Sequence, residues 1–472
     1  MNTKTREKRK PNKIEAFSTL IFLIVTILVF SIKGGASVGT PLALSIAYTA
    51  FIAYRCGYTW DDIKTAMGDK VHSIIDIFFI LLGVGFLIAT WMFSGTVPTL
   101  ISYMIRVVSP KFVVVLTFIL CGILSMIIGT GWGTAGTLGV VMIGLGQTLG
   151  ANLPAMAAAV AGGSHIGQVL SPMADMVNLT AGLAKKDPFE TVKRSAYIMA
   201  PAIVAAIVVY TIIGFSSSSG TATDEQINAV INSISSIFNV NIIALIPFVL
   251  LLVLAAMKKP IVPVLFASGL SAILIGVILN HFSLSAGINI AHAGFTLKAV
   301  GIDAVAVDPI VVSLVQRGGM SSFASVFVTL FLAMGYAGVM IMLGALEVIV
   351  NTLFGKAKNP VALSISTVLV GMISAASTSN SYLTLLMPVE LMGSKYEEQG
   401  WDISNAACIS GSVGALFMLL LPWTTTAIYF AGVTGVPTIQ ALPYQVFVYG
   451  CPIFAVLTSI FKFGWTKKSD ET

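Results

Sequence analysis

The sequence predicts an all-α polytopic membrane protein made of two inverted-topology repeats with discontinuous helices or re-entrant hairpins, roughly 10–13 membrane segments in all. Three observations predict it. Of 472 residues, 56% are hydrophobic and only 10% charged, whereas soluble domains carry about 25% charged residues; the mean hydropathy is +0.94. Apolar runs long enough to cross a bilayer recur along the whole chain. Polar, helix-breaking stretches interrupt those runs at corresponding positions in the two halves.

The spans fall at Phe17–Ile32, Leu42–Tyr54, Ile74–Phe93, Phe112–Ile128, Ala196–Phe215, Ile242–Met257, Ile261–Leu279, Phe323–Leu346 and Tyr444–Phe461. Before the first of them, Lys4, Arg6, Lys8, Arg9, Lys10 and Lys13 stand against the single acid Glu7, so the positive-inside rule keeps this end cytoplasmic. A cleaved signal peptide would have a shorter apolar core and a small-residue cleavage site, so the segment is expected to be retained. The mixed charges of residues 55–71 read as a solvated connection. The basic loop of Lys185, Lys186, Lys193 and Arg194 and the pair Lys258–Lys259 read as further cytoplasmic turns. Arg106 and Lys111 fit this scheme poorly, because it places them outside. This order divides the chain into a basic cytoplasmic N-terminus (1–16), two leading transmembrane helices (17–71), a first transport repeat (72–215), a polar linker (216–240), connecting helices and loop (241–322), a second transport repeat (323–462) and a cytoplasmic C-terminus (463–472). Residues 280–322, with Asp303, Asp308 and Arg317, read as weakly structured.

The breaks carry the chemistry. Residues 161–182, AGGSHIGQVLSPMADMVNLTAG, hold Ser164, His165, Gln168, Ser171, Asp175 and Asn178 beside Pro172 and four glycines. Backbone at membrane depth leaves the helix only where protein or a water-filled cavity satisfies its freed N–H and C=O groups, so this stretch should line a cavity. Residues 129–139, GTGWGTAGTLG, contain Thr130, Thr134 and Thr137 and a formal GxGxxG. No strand or downstream acid gives that motif a dinucleotide context, which leaves close helix packing or an unwound, ion-coordinating turn. In the second half, Ser377, Thr378, Ser379, Asn380 and Thr384 form a similar hydroxyl- and amide-rich break. Pro422 follows Pro172 by 250 positions, Gly344 follows Gly95 by 249, and Thr384 follows Thr137 by 247. The loop after the first broken segment is basic and its counterpart 433–443 is uncharged, so the halves are expected to be inverted.

Other classes lack support. The net charge of +6 comes from short runs between apolar spans rather than one basic face, so no nucleic acid is expected. Cys56, Cys121, Cys408 and Cys451 are too far apart for a metal or redox pair. His72, His165, His281 and His292 form no HExxH pattern. Ser164 and His165 are adjacent, and neighbours on a helix point about 100° apart, so they do not form a nucleophile and base; no enzymatic activity is expected. A channel would need a charge ring or a repeated filter.

These residues also carry a family resemblance, covering about residues 74–461. Trp132-Gly133-Thr134-Ala135-Gly136-Thr137 is similar to the W-G-T-x-G-T signature of the NhaC sodium/proton antiporter family within the ion-transporter superfamily. Residues 167–179 resemble its G-D-K-x-S-P-L-S-D-T-T-N-L run, and Pro422-Trp423-Thr424 its P-W-N-type motif. The departures are Gln168 in place of the first Asp, Val169 in place of Lys, and Met176 and Val177 in place of two threonines. Of the family's acidic pair only Asp175 remains, and Gln168 cannot titrate.

The resemblance implies a Na⁺-linked secondary transporter working by alternating access, with Na⁺/H⁺ exchange as the leading activity. The alternative is a Na⁺- or H⁺-coupled carrier or exchanger of a small organic acid or amino acid, with an ion channel as a remote third. Asp175, with oxygens from Ser171, Asn178, Thr134 and Thr137, would hold the cation, Asp175, Asn178, Thr134 and Asn380 being the Na⁺ candidates. Ser377, Thr378, Ser379, Asn380 and Thr384 would form the symmetry-related site, and Thr130, Ser164, Gln168, Trp423, Thr424 and Thr425 complete the candidates for ion or substrate contact. His165 is either a proton relay or a packing histidine satisfied by a backbone carbonyl. Glu390 is a second candidate carboxylate, and Asp76, near the start of an apolar run, either works or reaches interfacial water. No cofactor is expected beyond transported or coupling Na⁺ and H⁺. The partners would be the lipid bilayer, a small inorganic cation and a small carboxylate or amino acid; a homodimer is compatible with this reading. The expected location is a bacterial-type plasma membrane, multi-pass, with both termini cytoplasmic.

Overall fold

The computed structural model describes residues 7–217, 224–353 and 359–468, and these are helical throughout, with a single isolated bridge between Trp401 and Lys467. Lys4 and Arg6, part of the 216–240 linker and the last residues of the C-terminus lie outside the described residues.

The leading region holds α1 (Lys13–Thr26), extended by a π-turn over Ile27–Lys33, and α2 (Gly39–Arg55). A third helix, α3 (Trp60–His72), replaces the solvated connection expected at 55–71. Its charges hid a capping box: Thr59 accepts from the Asp62 N–H while the Asp62 carboxylate accepts from the Thr59 N–H, which settles two donors that a helix start otherwise orphans. The basic N-terminal segment does more than orient the chain. Lys8 pairs with Asp62 at 2.9 Å, Arg9 with Glu15 at 2.7 Å and Lys10 with Glu347 at 2.8 Å. The Lys8 ammonium, helped by Thr59, holds the Asp62 carboxyl down at about 2.

The first repeat begins with α4 (Ile75–Phe93), which turns at Gly95 (φ +77°) into α5 (Thr96–Met104). Next, α6 (Val113–Ile128) ends at Gly129 (φ +80°), and the chain folds back through α7 (Gly131–Thr134), a π-turn at Ala135–Gly139 and α8 (Val140–Thr148). A broken pair follows, α9 (Leu153–Leu170) and α10 (Asp175–Ala184), and then α11 (Pro188–Ser217). Small residues let α9 approach α6 very closely: a Cβ on Gly167 would fall 2.1 Å from the Ser125 carbonyl carbon, the close packing that joins helices where apolar burial drives little association.

The connecting region holds α12 (Asp224–Ile237), α13 (Ile246–Ala256) and α14 (Ile261–Asn280). Residues 280–322 are more ordered than their composition indicates, with α15 (Leu284–Ala293) capped by Ser283 and α16 (Pro309–Val315) capped by Asp308. Between them and the next helix, the Gly319 N–H donates to the Gly85 carbonyl in the middle of α4 at 2.8 Å.

The second repeat is α17 (Ala324–Leu343), Gly344 (φ +68°), α18 (Ala345–Leu353), α19 (Pro360–Thr378), α20 (Ser381–Glu398), α21 (Ser404–Phe417) with a 3₁₀ turn to Leu420, α22 (Thr425–Thr434), α23 (Thr438–Ala441) and α24 (Val446–Phe461). The correspondence is closer than the sequence landmarks. Ile128 and Thr378 end equivalent helices, Asp175 and Thr425 start equivalent helices, and Lys185 and Gly435 terminate them in left-handed conformation, each pair 250 positions apart (425 − 175 = 250). At that offset Thr384 answers to Thr134, not to Thr137.

Among the described residues six helices are long and apolar enough to cross a membrane, or up to nine if each sharply bent pair counts as one span; α21 and α22 are bent by 59°. A shorter apolar helix, α6 with 16 residues, comes in addition to these.

Candidate functional site

The two breaks face one cavity of ≈ 690 Å³. The first repeat contributes Gly129 and Thr130 from the α6–α7 turn, Trp132, Gln168 from the end of α9, and Asp175 from the first residue of α10. The second contributes Ser379, Asn380 and Ser381 from the α19–α20 turn and Thr425 from the start of α22. Its mouth is rimmed by Ser73, Asp76, Lys258 and Lys259, all four of which are exposed.

Each wall has a local cause. Ser379 adopts left-handed backbone (φ +48°), which costs a non-glycine residue roughly 1–2 kcal/mol. It is held there from α22: the Thr425 N–H donates to Ser379 Oγ at 2.7 Å, and Thr425 Oγ1 donates to the Ser379 carbonyl at 3.1 Å. Asn380 caps α20, accepting from the Leu383 N–H at 3.0 Å. Its capping bond occupies one amide oxygen lone pair and leaves the other and the NH₂ free for a ligand. Asp175 at the start of α10 has no side-chain cap behind it, because Ala174 occupies that place. The carboxylate therefore has the positive end of a helix beside it and open cavity before it.

Behind the cavity the two repeats close on each other. Tyr429 Oη donates to the Trp132 carbonyl at 2.6 Å, and the two rings meet edge to face at 4.4 Å. Gly136 makes room for this contact: a Cβ there would meet Val84 at 2.6 Å and Tyr429 Oη at 2.9 Å.

Of the residues expected from sequence, Thr130, Gln168, Asp175, Ser379, Asn380 and Thr425 share the cavity. Thr134 and Thr137 are buried, and their hydroxyls bond the carbonyls of Thr130 and Gly133. Asn178 donates to the Ala174 carbonyl at 3.1 Å, and Thr378 and Thr384 likewise bond their own helices. Of the four Na⁺ candidates, Asp175 and Asn380 are thus together, whereas Thr134 and Asn178 are turned to local backbone. Trp423 pins the second break by donating from Nε1 to the Ala376 carbonyl at 2.9 Å, and Thr424 caps α22. His165 sits buried against Phe430, its Nδ1 2.8 Å from the Ala161 carbonyl, which is the packing arrangement of the two weighed for it. Glu390 is exposed and away from the cavity, contrary to its buried appearance in the sequence, because it lies on the outer face of α20. Among the described residues the Oγ atoms of Ser171 and Ser377 are buried with no hydrogen-bond partner, an unusual state for buried hydroxyls, and Ser164 Oγ is buried beside Cys121.

Sequence reasoning missed several cavity residues, among them Ser73, Ser381, Lys258, Lys259 and Tyr382. Lys258 and Lys259 read as a topology signal, yet both line the rim, and Lys258 Nζ rests on Met173 Sδ at 3.0 Å. Tyr382 gave no signal; it faces the cavity because the α19–α20 turn aims the start of α20 at Asp175.

A polytopic helical protein whose two repeats set paired discontinuous helices around one cavity is a secondary transporter. The comparisons give the family: the profile of the Na⁺/H⁺ antiporter family matches residues 163–463, and the chain belongs to that family. An uncharacterized Na⁺/H⁺ antiporter of Haemophilus influenzae is 32% identical over 96% of this chain and 97% of its own. The malate-2H⁺/Na⁺-lactate antiporter of Bacillus subtilis is 30% identical over 93% and 92%, and the Na⁺/H⁺ antiporter NhaC of Alkalihalophilus pseudofirmus 29% identical over 88% of each. Residues 2–215 also match the profile of the C4-dicarboxylate anaerobic carriers.

Proposed function

We propose that this protein is a Na⁺-linked antiporter of the NhaC type that exchanges Na⁺ for H⁺ by alternating access, with Asp175 as the group that holds either ion in turn. One observation carries the reading: the sole carboxylate of the first break and the amide and hydroxyl oxygens of the second face one cavity. A carboxylate binds Na⁺ through hard oxygen and releases it on protonation, so one group can serve both ions in succession. The Na⁺ shell would draw on Asp175, Asn380 and carbonyls freed at the breaks. The cavity mouth lies beside Lys258 and Lys259, which the positive-inside rule assigns to the cytoplasm together with both termini. The present state is then open inward, with Trp132 and Tyr429 as the opposite barrier.

The test is reconstitution in proteoliposomes with an internal pH dye and an imposed Na⁺ gradient. A Na⁺-dependent pH change that disappears in Asp175→Asn is the expected result; a mutant that exchanges at the wild-type rate removes Asp175 from the mechanism. A second reading, a carboxylate as transported solute, is favoured by the Lys258 ammonium, whose one bonded acceptor among the described residues is a thioether, and by the names of the Bacillus antiporter and the dicarboxylate carriers.

A further inference from the structure

On the far side of the Trp132–Tyr429 barrier lies a charged group that the exchange of Na⁺ for H⁺ does not use. Arg317 sits in the turn between α16 and α17. Its loop is threaded against the middle of α4: the Gly319 N–H bonds the Gly85 carbonyl, and a Cβ on Gly318 would fall 2.5 Å from the Ala89 nitrogen. The cavity touches α4 only over its first turns, at Asp76, Ile77 and Ile80, so Arg317 is about two to three helical turns farther along. The Arg317 carbonyl accepts from the Phe295 N–H at 3.1 Å, and Gly318 and Gly319 hold φ of +84° and +89°. The loop is therefore fixed, and the guanidinium is presented by a built support.

That guanidinium is undercompensated. It is half-buried and donates from Nη2 to Gln147 Oε1 at 2.5 Å, a neutral acceptor. Among the described residues no carboxylate pairs with it. The carboxyl ends of α8 and α16 lie close by and offset part of the charge, but they leave most of its five N–H donors unfilled. Gln147 is itself positioned, donating from Nε2 to Ser313 Oγ at 3.1 Å on the exposed surface of α16. Membrane proteins keep such a charge where it meets a partner or a permeating species, and a planar fork of donors matches a carboxylate.

We propose that Arg317, oriented by Gln147, receives the carboxylate of a small organic anion from the face opposite the cavity mouth, so that such an anion is a transported solute of this protein. The proposal rests on the transporter reading above and specifies its second form. Binding there exchanges the neutral Gln147 partner for an anion, and separation of Trp132 from Tyr429 then opens the route to Lys258 on the other side.

The experiment uses the full chain in proteoliposomes, with two parallel readouts: the Na⁺-driven pH change without organic acid, and Na⁺-dependent uptake of radiolabelled L-lactate and succinate as mono- and dicarboxylate probes. In Arg317→Gln the KM for the transported probe should rise at least tenfold, with Arg317→Lys recovering part of the loss and the pH response without organic acid staying within twofold of wild type. An unchanged KM in Arg317→Gln overturns the proposal, as does equal loss of both readouts in a variant whose melting temperature in detergent is unchanged. Wild-type protein that exchanges Na⁺ for H⁺ but takes up neither probe also overturns it while leaving the antiporter reading intact. Wild-type protein silent in both assays removes that reading itself.

Discussion

The two broken segments share one backbone plan and solve it with opposite side chains. In the second, Trp423 is pinned to the Ala376 carbonyl, Thr424 caps α22, and Thr425 is doubly bonded to Ser379. In the first, the equivalent positions 250 residues earlier are Met173, Ala174 and Asp175: an exposed thioether, a residue that cannot cap, and a carboxylate in open space. The symmetric frame thus holds one wired break and one unwired break. Hydrogen bonds that satisfy a break internally leave fewer of its polar atoms free for a ligand, and the unwired break is the one that presents a carboxylate to the cavity.

This contrast can be broken or sharpened by substitution. The largest effect is expected at the unwired site: Asp175→Asn should cut the Na⁺-dependent pH response by about two orders of magnitude or more, whereas Thr425→Val should leave it within about tenfold of wild type. Next comes the strained turn. Ser379→Val places a β-branched side chain at φ +48° and removes the Thr425 N–H acceptor, so thermal unfolding in detergent should show a loss of about 2–3 kcal/mol. Trp423→Phe keeps an aromatic ring but is smaller and orphans the Ala376 carbonyl, and it should cost about 1–2 kcal/mol, while Met173→Leu, at an exposed position, should change stability by under about 0.5 kcal/mol. The smallest effect is expected at His165. With Nδ1 committed to the Ala161 carbonyl, His165→Gln should leave the pH profile of exchange where it is, and a displaced profile would return this residue to the transport mechanism.

The legible parts were those in which one residue type forces one outcome. Apolar run length gave the spans, and the proline and glycine landmarks gave the repeat to within one position of its true offset. Thr137 was mispaired with Thr384 because a run of threonines offers several registers, and only the shared helix ends select among them. Helix α3 was hidden by its charges, since an amphipathic surface helix and a solvated connection have similar composition. Cavity lining was half legible. A hydroxyl in the sequence is equally able to face a ligand or its own helix, and Thr134, Thr137, Thr378 and Thr384 all took the nearer carbonyl.

The sequence by itself determined that this chain is a membrane protein, that it is built twice, and that Asp175 is the carboxylate left in the first break, because hydrophobic length, helix breakers and ionisable groups are properties of local residues. Tertiary structure decided which polar atoms are spent on backbone and which remain for a ligand, it brought Lys258 and Tyr382 to the cavity, and it set Arg317 against the far part of α4. These depend on how helices far apart in sequence are packed, with close approaches at Gly136 and Gly318 fixing which side chains face one another.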